Sequence, residues 1–133
     1  MFLIYTKEND KKYMKGGKMY NSVNLIGRLT DEPECVTTDG GKKLCHINLA
    51  VQRSYKNKDG IYEVDFIRCT LWEGIAQRVC EYTHKGDLIS VSGKIKNTFY
   101  ESENNEKKYF NDIIIEKVVF LASPNKNKKE IDS

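Results

Sequence analysis

The chain has 133 residues, 39% of them hydrophobic and 31% charged, with a formal net charge of +3 at pH 7. A chain of that length forms one domain with room for a real core, and no apolar run approaches the ~20 residues needed to span a membrane. Cys35, Cys45, Cys69 and Cys80 show no C-x-x-C spacing, and His46 and His84 stand far apart, so the sequence supports no metal site, implies no cofactor, and leaves the thiols as buried or half-buried free cysteines.

Residues 1–18, MFLIYTKENDKKYMKGGK, have too short an apolar run for a secretory signal and no small-residue cleavage site, so a cytoplasmic protein is expected. KGGKM can be written AAA GGA GGT AAA ATG, a purine-rich ribosome-binding sequence just ahead of a start codon. Residues 1–18 therefore read as an over-called start, with a real basic arm as the rival reading. Lys plus Arg against Asp plus Glu count 5 to 2 in residues 1–18, 14 to 15 in 19–123 and 3 to 2 in 124–133. The region 19–123 is nearly neutral, so it can bind a polyanion only by sorting its basic groups onto one surface.

SVNLIGRL opens that region as a strand whose internal Gly27 suggests a bend or a close backbone approach. ECVTT meets the turn signal DGGKK, and KKLCHINLAVQRSY resumes as a long alternating strand with Cys45, Ile47, Leu49 and Val51 on one face. The turn KNKDG leads into IYEVDFIRCTLW, rich in β-branched and aromatic residues. EGIAQRVCEYTHKGD then carries Ile75, Val79 and Tyr82 at helical spacing, with Ala76 and Cys80 beside them and Gly86 as the expected stop. LISVSGKIKNTFYE and KKYFNDIIIEKVVFLA form a last hairpin around SENNE, and residues 124–133, with no core-forming pattern, are expected to be a disordered tail. An all-β, five-stranded barrel of the oligonucleotide/oligosaccharide-binding type, with one short helix between the third and fourth strands, removes the open edges of such a set. Strand order alone does not separate it from other small barrels.

The stretch DFIRCTLW points to what the barrel does. Ile67, Cys69 and Leu71 make an ordinary core face, whereas Phe66, Arg68, Thr70 and Trp72 on the other side suit neither a core nor a plain solvated surface. Every base has a π-face, so an aromatic platform binds single strands without choosing sequence. Lys94, Lys96, Thr98 and Tyr100 repeat the basic and aromatic interleaving in the next long strand, with Ile95 and Phe99 on the reverse. The expected site is a shelf on the outward sides of two neighbouring strands, with Arg28 and Arg53 as further phosphate contacts.

NSVNLIGRLTDEPE, INLAVQRSY, DFIRCTLWEGIAQRVCEYTHKGD and SVSGKIKNTFY, in that order, resemble the bacterial-type single-stranded DNA-binding proteins over about residues 19–122. The resemblance implies that barrel, a homotetramer, and sequence-tolerant binding of single-stranded DNA in replication, recombination and repair. It puts stacking aromatics at Tyr55, Phe66, Trp72 and Tyr100. Family members usually end in an acidic tip that docks repair enzymes; this chain ends KKEIDS, so that docking is not expected. Two rival readings stand beside it. One is a primosomal-type interaction barrel with weak single-strand binding. The other is a metal-dependent nuclease on Asp31, Glu32 and Glu34, which no histidine accompanies in the sequence.

Overall fold

The computed structural model describes residues 18–124; the readings of the N-terminal stretch as an over-called start and of the C-terminal stretch as a tail lie outside the described residues, apart from Lys18 and Pro124. The strands are β1 (Val23–Leu29), β2 (Cys35–Thr37), β3 (Lys43–Lys56), β4 (Tyr62–Trp72), β5 (Leu88–Glu101) and β6 (Lys107–Ala122), with helix α1 (Glu73–Tyr82) between β4 and β5. Hydrogen bonding runs β1-β5-β6-β4-β3, and β1 returns to pair with β3, which closes a five-stranded barrel. The short β2 continues the same edge of β3, pairing Cys35 with Cys45 through Thr37 with Lys43. One closing pair is parallel rather than antiparallel: Cys69 and Thr70 of β4 lie against Ile113 and Ile114 of β6.

Alternation fills the interior. Leu29, Cys45, Ile47, Leu49, Cys69, Leu71, Ile89, Val91 and Ile115 point inward and are buried, and α1 adds Ala76 and Val79 over one end. Both in-strand glycines sit where backbones touch. A Cβ on Gly27 would lie 2.7 Å from the Ala50 carbonyl oxygen, and one on Gly93 only 1.9 Å from that of Ile114. Gly93 also follows a register shift in the β5–β6 ladder, where a bulge bends the strand around the barrel.

The helix differs from the expectation in two respects. It ends at Tyr82, four residues before Gly86, because Thr83 turns extended and gives both its backbone N–H and its hydroxyl proton to the Val79 carbonyl. Gly86 instead takes a positive φ in the turn that leads to β5. Tyr82 is exposed rather than core, leaning on Phe120 with ring centroids 6.3 Å apart. Among the cysteines, Cys45 and Cys69 are buried and Cys80 is half-buried, but Cys35 is exposed on β2.

Candidate nucleic-acid interface

Paired residues in a ladder present their side chains to the same face, so the register maps the outer surface. Ala50 of β3 pairs with Arg28 of β1 and with Phe66 of β4, making one outward row across three strands. The next rows are Asn48 with Arg68, His46 with Thr70, and Leu44 with Trp72. Phe66 is 73% exposed although it lies inside an 11-residue strand. Its neighbour Ala50 is too small to cover it, so the ring stands open to a flat ligand. Arg68 is exposed two residues away and has no ion pair among the described residues.

The second expected patch lies on β5, and β5 is not a neighbour of β4. Strand β6 intervenes, which corrects the two-adjacent-strand shelf. The surface is nonetheless continuous, because β6 contributes its own outward residues. Lys94, Lys96, Thr98 and Tyr100 pair with Ile114, Asp112, Phe110 and Lys108. Asp112 in turn accepts a hydrogen bond from the Thr70 hydroxyl at 2.7 Å, which joins the β5–β6 hairpin to β4. Tyr100 and Phe110 pack diagonally, centroids 6.1 Å apart, and both stay exposed beside Lys108. Lys94 approaches Glu116 at 3.9 Å, whereas Lys96 has no ion pair among the described residues.

Three expected residues, Thr70, Arg53 and Arg28, change their standing. Thr70 is only 2% exposed, held under His46 and Asp112 rather than on a solvated face. Arg53 follows Val51 on the opposite side of the β3–β4 hairpin from Phe66, and its guanidinium is clamped by Asp65 at 2.9 Å and Glu63 at 2.6 Å. The hydrogen bond and charge of Asp65 raise the Arg53 pKa, and the same bond holds the Asp65 carboxyl below its ordinary range. A cation already neutralised by two carboxylates has little left for a phosphate, so Arg53 leaves the set of phosphate contacts. Arg28 spends one guanidinium nitrogen on the Gly86 carbonyl at 3.0 Å and keeps the rest exposed. Trp72 stays exposed, at 38%, at the N-cap of α1 beside an open groove lined by Glu73, Gln77 and Tyr82. Tyr55 is exposed near the tip of the β3–β4 hairpin, and close by the Lys56 ammonium lies 5.5 Å from the Tyr62 ring centre.

Sequence reasoning missed Phe110, His46 and Asp112. Phe110 was within reach, because a five-residue SENNE connection from Glu101 to Lys107 fixes the register that sets Phe110 beside Tyr100. His46 and Asp112 carry no local signal, since what matters is their meeting across Thr70 of a third strand.

The acidic loop also differs from its sequence reading. His84 does accompany it, its Nδ1 3.2 Å from Glu32 Oε2, while Glu32 accepts the Lys85 backbone N–H at 3.0 Å. The Lys85 bond and then the His84 bond hold the Glu32 carboxyl below its ordinary range. These contacts tie the β1–β2 loop to the turn before β5, and among the described residues no group of three acidic, His or Cys side chains is placed to hold a metal ion.

Comparison with known proteins identifies the family. The model of a family described as the single-strand binding protein family matches residues 20–121. The chain is 39% identical over 114 residues, 86% of its length, to the whole of "Single-stranded DNA-binding protein B" of Bacillus subtilis. It is 39% identical over 79% of its length to "Single-stranded DNA-binding protein 3" of Listeria innocua, covering 66% of that protein. It is 35% identical, again over 79% of its length, to "Single-stranded DNA-binding protein" of Lactiplantibacillus plantarum, of which it spans about half, 52%.

Proposed function

The chain belongs to the single-strand binding protein family, and from that premise we propose that it binds and protects single-stranded DNA, without sequence preference, during replication, recombination and repair. The observation that carries the site is Phe66, an aromatic ring left open in mid-strand between Arg28 on one side and Arg68 on the other. Stacking on Phe66, Tyr100, Tyr55 and Trp72 supplies sequence-tolerant affinity. Arg28, Arg68, Lys94 and Lys96 hold the sugar-phosphate chain along the same outer surface. The protein acts by binding, with no catalytic step.

The working form in this reading is a homotetramer acting on the nucleoid in the cytoplasm. Its support is a second outward patch, away from the stacking rings, where Ile26 of β1, Ser90 of β5 and Val119 of β6 form one row, with Ile26 and Val119 exposed. A second copy of the chain is the occupant proposed for that patch. No docking of repair enzymes is included.

Titration of a long oligo-dT against the fluorescence of Trp72, the single tryptophan, tests the function. Quenching at low salt is expected, with log affinity falling by about 0.7 per neutralised phosphate for each unit of log salt. Absence of binding at low salt would refute it. Light scattering tests the assembly: a tetramer is expected, and a dimer with weak affinity for oligo-dT would favour the primosomal-type reading.

A further inference from the structure

Three strands meet in a polar chain that the stacking and phosphate contacts do not use. His46 of β3, Thr70 of β4 and Asp112 of β6 are linked through the Thr70 hydroxyl, whose oxygen lies 2.7 Å from Asp112 Oδ1 and 3.1 Å from His46 Nδ1. A hydroxyl has one proton to give. Here it goes to the Asp112 carboxylate, so the Thr70 oxygen accepts, and the proton in the second bond must sit on His46 Nδ1. A neutral imidazole protonated at Nδ1 has a bare Nε2, which is an acceptor. Desolvation of the ring and then the Arg68 charge lower the His46 pKa against the opposite pull of Asp112, which favours the neutral ring. His46 is exposed, and Nε2 has no hydrogen-bond partner among the described residues.

We propose that His46 is a base-contacting residue, its outward Nε2 held by the Thr70–Asp112 relay as a fixed acceptor for the N–H of an unpaired base. This rests on the single-strand-binding reading. The placement fits, since His46 lies in the same outer surface as Phe66 and Arg68, one row beyond Asn48–Arg68 and two beyond Ala50–Phe66. The chemistry fits as well. All four bases carry an N–H donor on the edge that pairs in duplex DNA, so a single fixed acceptor adds affinity for unpaired strands without choosing among sequences. A duplex has that edge occupied, so the contact also favours single strands over double.

The test uses the full chain with two ligands, oligo-dT and the same oligomer built from N3-methylthymidine, which lacks the only N–H of the base. Wild type, His46→Ala and His46→Phe are compared by anisotropy of end-labelled oligomer; the phenylalanine keeps a stacking ring and removes the acceptor. Wild type is expected to bind the methylated oligomer about twofold to tenfold more weakly, the worth of one hydrogen bond, and both variants to bind the two oligomers alike. The same ratio in wild type and variants would overturn the proposal, as would long-range ¹H–¹⁵N spectra showing the proton of the neutral ring on Nε2. Failure of wild type to bind oligo-dT would instead overturn the single-strand-binding reading of this chain.

Discussion

Phe66→Ala should separate binding from folding, because Phe66 is the most exposed of the four aromatics proposed to stack. With 73% of its surface already in water, Phe66 withdraws about 50 Å² of a ring whose full burial is on the order of 200 Å². At ~25 cal/mol per Å² its truncation costs folding about 1 kcal/mol at most, against about 3–5 kcal/mol for a core phenylalanine. A base stacked on the ring contributes about 1–3 kcal/mol, so the dissociation constant for oligo-dT should rise about fivefold to 150-fold. Stacking moves no counterions, so the slope of log affinity against log salt should match wild type. Fluorescence titration at four or more salt concentrations measures both quantities, and urea unfolding measures the stability. Unchanged affinity in a variant that unfolds like wild type would refute the stacking role of Phe66, and weaker binding with a shallower salt slope would show that the loss acts through the phosphates instead.

Arg68→Ala and Lys96→Ala should each flatten the salt slope by about 0.7, whereas Arg53→Ala should leave it unchanged and raise the NMR-titrated pKa of Asp65, because the guanidinium of Arg53 faces two carboxylates. Gly93→Ala should cost about 3 kcal/mol or more in urea unfolding, at the upper end for overpacking, since its methyl would meet the Ile114 carbonyl at 1.9 Å. A coloured aromatic disulfide reagent at pH 8 should titrate Cys35 at once and the other three thiols only on unfolding, because Cys45 and Cys69 are buried and burial pushes Cys69 and Cys80 up to about 12. Glu32 has its carboxyl pKa lowered in the fold, so the stability it adds is present above the ordinary glutamate value of 4.5 and is lost as pH falls through the folded value. Glu32→Gln should therefore make acid unfolding less steep below pH 4.5, measured by circular dichroism.

Much of the barrel could be read from the chain because each long strand carries its own two-residue period. Cys45, Ile47, Leu49 and Val51 announce an inward face, as do Cys69 and Leu71, and the structure buries all of these but the half-buried Val51. Phe66 and Arg68 were legible for the converse reason, since they interrupt the pattern of an ordinary solvated face. Thr70 was not. Its alternation places it outward correctly, yet His46 and Asp112 close over it, and those residues come from strands 24 and 42 positions away. Pairing across a closed sheet is a long-range property, so neither β6 between β4 and β5 nor a relay through three strands leaves a local trace.

Arg53, Ile95 and Phe99 share a subtler cause. By alternation all three belong to the inward side, Arg53 with Val51 and the other two with Val91 and Gly93, yet Ile95 and Phe99 are exposed and Arg53 is ringed by carboxylates. Strand length explains this. The seven residues of β1 can cover β5 only from Leu88 to Gly93 and meet β3 at Leu49 and Ala50, while β3 and β5 run to 14 residues each. Beyond Gly93 the β5–β6 ladder loses β1, keeping only β4 at Ile113 and Ile114 and the Asn21 side chain at Ile95, and past those contacts the β3–β4 and β5–β6 hairpins run on as two-stranded ribbons with no core under their inner faces. A charged clamp on one ribbon and aromatic pairs on both faces of the other supply the cross-strand contacts that burial no longer provides. The ribbons also carry Tyr55 and Tyr100, so in the binding mode proposed above the excess of strand length over barrel height would let a small barrel present rings to a bound strand from two separate hairpins.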